Sequence, residues 1–373
     1  MVQISLTDYL QTKMFFQLFD ALLKEELINK DYYLESIGIS PSSYRRAKNE
    51  EQKVGLQIVQ TLSEKFNLKM TPIEVLDNLE DMCNDIYFDM YYKIYDRYEL
   101  YLAEIEKLLE QNYNVYPIFK LLKLFLLINA PKFSDELYQN YLDLFNEVKK
   151  YKNFYNPSLR GIYNLFILTF ESNSIDYNLA KELYGGFSYY VASFRSWKVE
   201  KYTECLYYAD KAKDILVKES NYKRISNLNF NIMSSLIYLN RFEECFELAF
   251  DQMLMLESFA FQKSETKRTM KYLLPAAIGI GKYDFVVKKL KDSDTMSQVE
   301  IVCYMISLSQ LSFKDYDSFY QENFKSQQSN DIVSSILKNT NNYILSPNKD
   351  NLQKLDEFSS LKYIVHVLKS CKL

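Results

Sequence analysis

Glycine and proline are scarce in this chain, with seven of each among 373 residues, against about 12% for the two together in an average protein. Folds that reverse direction often draw on both, so sandwiches, propellers and glycine-punctuated α/β sheets are excluded. Histidine is scarcer still. His366 stands alone, which removes most acid/base, triad and zinc chemistry. The cysteines at 83, 205, 245, 303 and 371 form no Cys-x-x-Cys and are odd in number, so buried free thiols are expected rather than disulfides or a metal centre. No sign of charge dominates: 45 Lys and Arg stand against 49 Asp and Glu, a net charge of −4. Any contact with nucleic acid must therefore come from a local basic patch. Long hydrophobic runs are missing as well. The most apolar stretch, 121–129, is interrupted by Lys123, and the N-terminal residues lack the basic start and apolar core of a signal peptide. Neither a membrane span nor secretion is expected, and a cytoplasmic protein is.

What the chain does have is aromatic mass, with 33 Tyr and 25 Phe in a sequence that is 48% hydrophobic. That is enough to bury a large core, and the length suits several domains or one repeat array. Residues 8–26 carry Leu10, Phe15, Leu18, Phe19, Leu22 and Leu23 at helical spacing. Residues 30–37 read as a short helix stopped by Gly38. A new helix opens at Ser40-Pro41, where serine accepts an orphan N–H and proline has none to leave unpaired. Residues 54–66 form another amphipathic segment, and Thr71-Pro72 reads as a further start. Beyond about residue 90 amphipathic helices follow one another, with turns expected at 112–117, 130–132, 153–157, 185–186, 218–221 and 279–282. The fold class is all-α.

Two segments align at an offset of 40 residues: Tyr202-Thr-Glu-Cys205-Leu-Tyr-Tyr-Ala209 and Phe242-Glu-Glu-Cys245-Phe-Glu-Leu-Ala249. Weaker echoes begin at Tyr283 and at Lys314-Asp-Tyr316, and Lys132-Phe133 and Asp176-Tyr177 hold comparable places upstream. In the two best copies an aromatic opens a second helix and a small residue follows three positions on. The aromatic plugs the next helix pair and the small residue lets helices approach. These segments resemble tetratricopeptide repeats over about residues 95–345. The Trp/Leu-Gly signature is missing, and Met233 stands where a small residue is expected.

The strongest local motif lies at 30–50. Tyr33, Ile37, Ile39, Tyr44 and Ala47 surround the Gly38 turn as the apolar positions of a helix-turn-helix do. The second helix would expose Ser42, Ser43, Arg45, Arg46, Lys48 and Asn49 as candidate DNA-binding residues. Arginine forks onto guanine, asparagine onto adenine, and serine reaches phosphate. Leu34 stands where this motif prefers a small residue, and Glu50 and Glu51 carry the wrong sign for DNA. An N-terminal packing cap is the alternative reading of the same segment.

A second candidate surface comes from the first helix of each repeat. Aligned on Tyr202 and Phe242, it comprises Tyr190, Phe194, Trp197 and Lys198 in one repeat and Asn227, Phe230, Ser234 and Tyr238 in the next. Asn231 lies one turn after Asn227, and Arg268 and Lys271 follow from a third repeat. Asparagine amides pair with a peptide backbone, basic residues hold a terminal carboxylate, and Trp and Tyr supply rigid walls. Enzyme signals are missing. Gly279-Ile-Gly281-Lys282 lacks the first glycine and the hydroxyl of a phosphate loop and reads as a hairpin turn. His366 reads as a structural histidine, and the acidic run at 80–85 as a solvated face. No cofactor or metal is called for.

An N-terminal helix-turn-helix (1–70), a linker helix (71–94) and a tetratricopeptide-like array (95–373) together resemble the RRNPP family of peptide-pheromone receptors, the Rgg, PlcR and PrgX type. The resemblance implies a right-handed superhelix of helix pairs in a cytoplasmic, homodimeric transcriptional regulator. An imported short linear peptide would bind the concave face and alter binding to operator DNA, with Asn227 and Asn231 clamping its backbone. Two alternatives stay open: a Rap-like protein that binds and inhibits another protein, and a repeat scaffold that binds no DNA.

Overall fold

The computed structural model describes residues 4–6, 9, 13–49, 56–130, 138–170, 186–258, 263–293, 295–326 and 332–371. Among the described residues there are twenty α-helices and no strand, with one isolated bridge between Lys69 and Tyr113. The chain divides into two compact units: unit 1 is Met1–Ala192 with Ile215–Arg224, and unit 2 is Ser193–Asp214 with Ile225–Leu373. Unit 1 thus holds the expected 1–70 segment together with helices from the expected repeat region.

Unit 1 opens with α1 (Lys13–Glu25), α2 (Lys30–Ser36), α3 (Pro41–Lys48) and α4 (Leu56–Lys65). Then come α5 (Ile73–Tyr92), α6 (Tyr98–Glu110), α7 (Tyr116–Ile128), α8 (Tyr138–Lys150) and α9 (Pro157–Phe170). Two starts differ from the sequence reading. The 8–26 helix is present as Lys13–Glu25, with Leu10 outside the described residues. Pro72 sits at the N-cap of α5 rather than inside it, and the Thr71 hydroxyl donates to Asn114 Oδ1 instead (2.6 Å). Three members of the acidic run have partners, Asp85 with Arg97 (2.7 Å) and two with the N-terminal residues. Glu80 Oε2 accepts from Leu6 N (2.6 Å), and Asn84 exchanges bonds with both backbone groups of Ile4, so α5 pins residues 4–6. The hydroxyl of Tyr9 then bridges Phe154 O and Asn156 N just before α9.

The shortage of glycine has a backbone consequence. Among the described residues seven that are not glycine take positive φ: Leu27, Asn67, Lys93, Asn112, Glu200, Ser220 and Asn240. Each follows a helix C-terminus, where a left-handed residue lets the last carbonyls be satisfied. Asparagine tolerates that conformation, whereas leucine, lysine and glutamate pay for a Cβ crowded against the carbonyl. Glu200→Gly is therefore expected to stabilise the fold by about 0.5–1 kcal/mol, the steric relief outweighing the unfolded-state entropy of glycine. Urea unfolding at matched m-value checks it.

Unit 2 draws on α10 (Gly186–Lys198), α11 (Tyr202–Lys218) and α12 (Tyr222–Tyr238), each shared with unit 1. It continues with α13 (Phe242–Ser258), α14 (Lys263–Gly279), α15 (Tyr283–Leu290), α16 (Gln298–Leu311), α17 (Phe313–Ser326), α18 (Ile332–Leu345), α19 (Lys349–Asp356) and α20 (Lys362–Cys371). The aligned positions behave alike here. Tyr202 opens α11 and stacks on Tyr238 near the end of α12 (4.8 Å between centroids, 13°). Phe242 opens α13 and lies against Gly279 at the end of α14, where an added Cβ would fall 2.6 Å from its Cγ. Cys205 and Cys245 are fully buried, and the Cys245 thiol donates to Met233 O (3.5 Å). All five cysteines are free. Gly279→Ala is expected to cost about 1–3 kcal/mol, because the phenyl ring has to move off its seat. Thermal unfolding of the variant tests this packing.

The turns expected at 112–117, 153–157, 218–221 and 279–282 fall between helices, with Gly281 at φ +72° in the last. Gly185, Lys132, Phe133, Asp176, Tyr177, Glu50 and Glu51 lie outside the described residues. No described helix is long and apolar enough to cross a membrane.

Candidate functional site

The first candidate surface is α3. Its inner face is fixed by Tyr44 and Ala47, both buried, as are Leu34, Ile39, and Phe16 and Phe19 of α1. The Tyr44 ring meets Phe16 edge-on (4.8 Å, 80°), and its hydroxyl lies within bonding distance of Asp20 Oδ1 (3.0 Å) and Phe16 O (3.2 Å). Burial first, then the Asp20 charge, pushes the Tyr44 pKa far above its ordinary value, so its O–H stays a donor. At the start of the helix Ser40 Oγ accepts from Ser43 N (3.1 Å), and Gly38 supplies the reversal at φ +75°. Tyr33 and Ile37 remain half-buried at the rim.

This inner face decides which polar residues point outward. Ser42, Arg45, Arg46 and Asn49 are exposed, and Ser43 is half-buried. Arg45 comes within 3.9 Å of Asp31, but both side chains are more than half exposed, so solvent leaves that pair weak and exchangeable. Lys48 differs from the other members of the patch: its ammonium pairs with Asp20, which also meets Lys30 at 3.4 Å. Lys48 therefore ties α3 to α1.

The second candidate surface lies in unit 2. Phe194 and Trp197 of α10 adjoin each other (5.8 Å), and Phe194 is exposed. The Trp197 indole donates to Ser234 Oγ (2.7 Å), and Ser234 Oγ donates to Tyr363 OH (3.1 Å). Tyr238 is sandwiched by Tyr202 and the C-terminal helix, with Tyr363 at 5.7 Å and His366 edge-on at 5.0 Å. Asn231 is buried, with Nδ2 lacking a partner, while Asn227 is half-buried. Arg268 is exposed and lies over the Phe230 ring (4.0 Å), and Lys198 and Lys271 are exposed. Beside them runs a buried amide network in which Asn229 Nδ2 donates to Gln252 Oε1 (2.8 Å) and Gln252 Nε2 reaches Ser226 Oγ (3.3 Å).

Tyr190 stands elsewhere, in unit 1. Its ring is 5.1 Å from the Arg224 guanidinium, which also faces Phe187 (4.0 Å) and Tyr91 (5.7 Å). Arg224 is 2% exposed and has no carboxylate partner among the described residues. Its Nε and Nη2 donate to Tyr91 O (2.6 Å) and Met90 O (2.5 Å) at the C-terminus of α5, and Nη2 also reaches Asn129 Oδ1 (3.3 Å). The negative end of a helix dipole and aromatic faces thus take the place of an acid.

Sequence reasoning missed Tyr272, Lys362 and Tyr363, which complete the unit 2 surface. The repeat alignment ends before α20, and no periodicity reveals where a last helix docks. The lone histidine pairs its Nε2 with Asn240 Oδ1 (3.1 Å), and burial lowers its pKa. Among the described residues no group of His, Cys, Asp and Glu could hold a metal ion. Compared with protein-family models, curated proteins and solved structures, the chain matches none of them.

Proposed function

We propose that this chain is a cytoplasmic, homodimeric transcriptional regulator. Its α2–α3 pair acts as a helix-turn-helix on operator DNA, and its unit 2 helices, as tetratricopeptide-like repeats, receive a short signalling peptide. The observation that carries the reading is the two-sided build of α3. Tyr44, Ala47 and Lys48 fasten one side to α1, while Ser42, Arg45, Arg46 and Asn49 project from the other. A short helix held this way, with its outward donors matched to phosphate and base edges, suits a major groove. The aromatic, amide-rich face in unit 2 suits a peptide.

The mechanism is a population shift. Recognition helices in a dimer read successive major grooves only when about 34–36 Å apart. A peptide with different affinities for two arrangements of the chain biases that spacing, and only by the difference between those affinities. Genomic DNA enrichment with the purified chain, with and without short culture peptides, tests both halves. Sequence-selective retention that changes with peptide is the expected result. One observation favours the second reading, inhibition of a partner protein: acidic neighbours stand beside Arg45 and Lys48. Retention of a partner protein with no retention of DNA would move the assignment there.

A further inference from the structure

Charge on α13 is of one sign. Its 17 residues include Glu243, Glu244, Glu247 and Asp251 but neither Lys nor Arg. Arg241 takes Glu244. Glu243, Glu247 and Asp251 are exposed and have no ion-pair partner among the described residues. Glu243, Glu247, Phe250 and Leu254 follow one another at intervals of three or four, so they form one stripe along the helix. Phe250 is 38% exposed and Leu254 51%, so apolar surface stands in solvent between carboxylates.

The stripe continues onto α15 through aromatic rings. Phe250 stacks on Phe246 one turn earlier (6.0 Å, 15°), and Phe285 of α15 meets both edge-on, at 6.1 and 5.2 Å. Across this ridge the charge reverses. From Lys282 to Lys291 four lysines stand against Asp284 alone. Lys282 and Lys288 are exposed, and Lys282 lies over the Phe246 ring (4.3 Å). Neither has a carboxylate partner among the described residues, so the acids of α13 and these lysines do not pair within the chain.

An apolar ridge with acid on one side and base on the other is its own complement. A two-fold axis through the ridge brings the acids of one copy onto the lysines of the next, and does so twice. The apolar centre then supplies affinity and the charged rim sets the register. An unrelated basic partner would answer the acids but leave the lysines unmatched.

We infer that a second copy of this chain docks on this ridge, with α13 of each copy against α15 of the other. The inference rests on the homodimer reading above and names the surface that forms it. It uses the second helices of two successive repeats, and none of the residues proposed for the peptide takes part.

Sedimentation velocity of the purified full chain tests it with two double variants, Glu243→Lys/Glu247→Lys and Lys282→Glu/Lys288→Glu. Each is expected to raise the dimer dissociation constant by at least about tenfold, because like charges then face each other twice. An equal mixture of the two should regain the dimer, since both contacts again pair acid with base. A variant that had merely unfolded would regain nothing on mixing. Phe250→Asp, which puts a carboxylate in the apolar centre, should weaken the dimer at least as much as either. Wild-type dimers that survive in both double variants overturn the inference and keep the homodimer reading. A wild-type chain that stays monomeric overturns both. Loss of the dimer in each variant without recovery on mixing overturns the pairing of α13 with α15.

Discussion

Replacing Arg224 by methionine is expected to lower the unfolding free energy of unit 1 by about 1–3 kcal/mol, the range for buried polar groups that lose a hydrogen-bond partner. The loss has two sources. The carbonyls of Met90 and Tyr91 close α5, and within this buried set they take hydrogen bonds from Arg224 that methionine cannot replace. Each carbonyl keeps a second donor, Asn221 Nδ2 on Tyr91 O (2.8 Å) and Lys93 N on Met90 O (3.4 Å), so the loss is of one bond from each rather than of all. The aromatic faces of Phe187, Tyr91 and Tyr190 also lose the guanidinium they pack on. Arg224→Lys should recover little, since an ammonium cannot span both carbonyls and the asparagine oxygen. Arg241 is the internal comparison. Its bonds to Glu244 are shorter on average (2.6 and 2.5 Å) but solvent-exposed, so Arg241→Met should cost no more than about 1 kcal/mol. Urea unfolding of the three variants decides it, read as a first transition because a chain of two units need not unfold in one step. A wild-type midpoint for Arg224→Met would contradict the assignment of Arg224 as the clamp on α5.

Arg45→Ala and Arg46→Ala are each expected to weaken binding to selected operator DNA by about ten- to a hundredfold, as loss of a base-reading arginine does. An arginine on phosphate would instead lower affinity evenly across sequences and reduce the salt slope by about one. The two cases separate in a salt titration. Both side chains are exposed, so thermal stability and peptide binding should stay at wild-type values. Lys48→Ala is the contrasting variant. Its ammonium is held by Asp20 on α1, so its loss should lower stability by about 1 kcal/mol and change DNA binding less than either arginine. Equal effects of Lys48→Ala and Arg46→Ala on DNA would mean that α3 acts only as a block of charge.

Local chemistry made much of this legible from sequence. Ser40-Pro41 announced the start of α3 because cap and proline act within one turn, and Gly38 announced the reversal because glycine takes the positive φ of that turn without a steric cost. The aromatics at 202 and 242 marked helix openings because an opening aromatic packs onto the end of the next repeat's first helix, as both do. Contacts between distant segments were hidden. Glu80 read as a solvated acid until residues 4–6 supplied it an N–H, and Lys48 read as part of an outward patch until Asp20 of α1 took it. Arg224 carries no local sign of burial, since the acceptors of its side chain lie about 95 to 134 residues away. The unit 2 surface was read in part. Trp197, Ser234, Tyr238 and Arg268 lie on regular helices at repeat spacing, but Tyr363 reaches them from the last helix, which belongs to no repeat.

The most direct measurement is selection from a random-sequence DNA pool by the purified full chain, run beside the Arg45→Ala/Arg46→Ala double variant. The proposed function predicts an enriched pair of half-sites about 10–10.5 base pairs apart, or a multiple of that spacing, which the double variant fails to enrich. Enrichment of no sequence by the wild-type chain, or of the same sequence by both proteins, would contradict it.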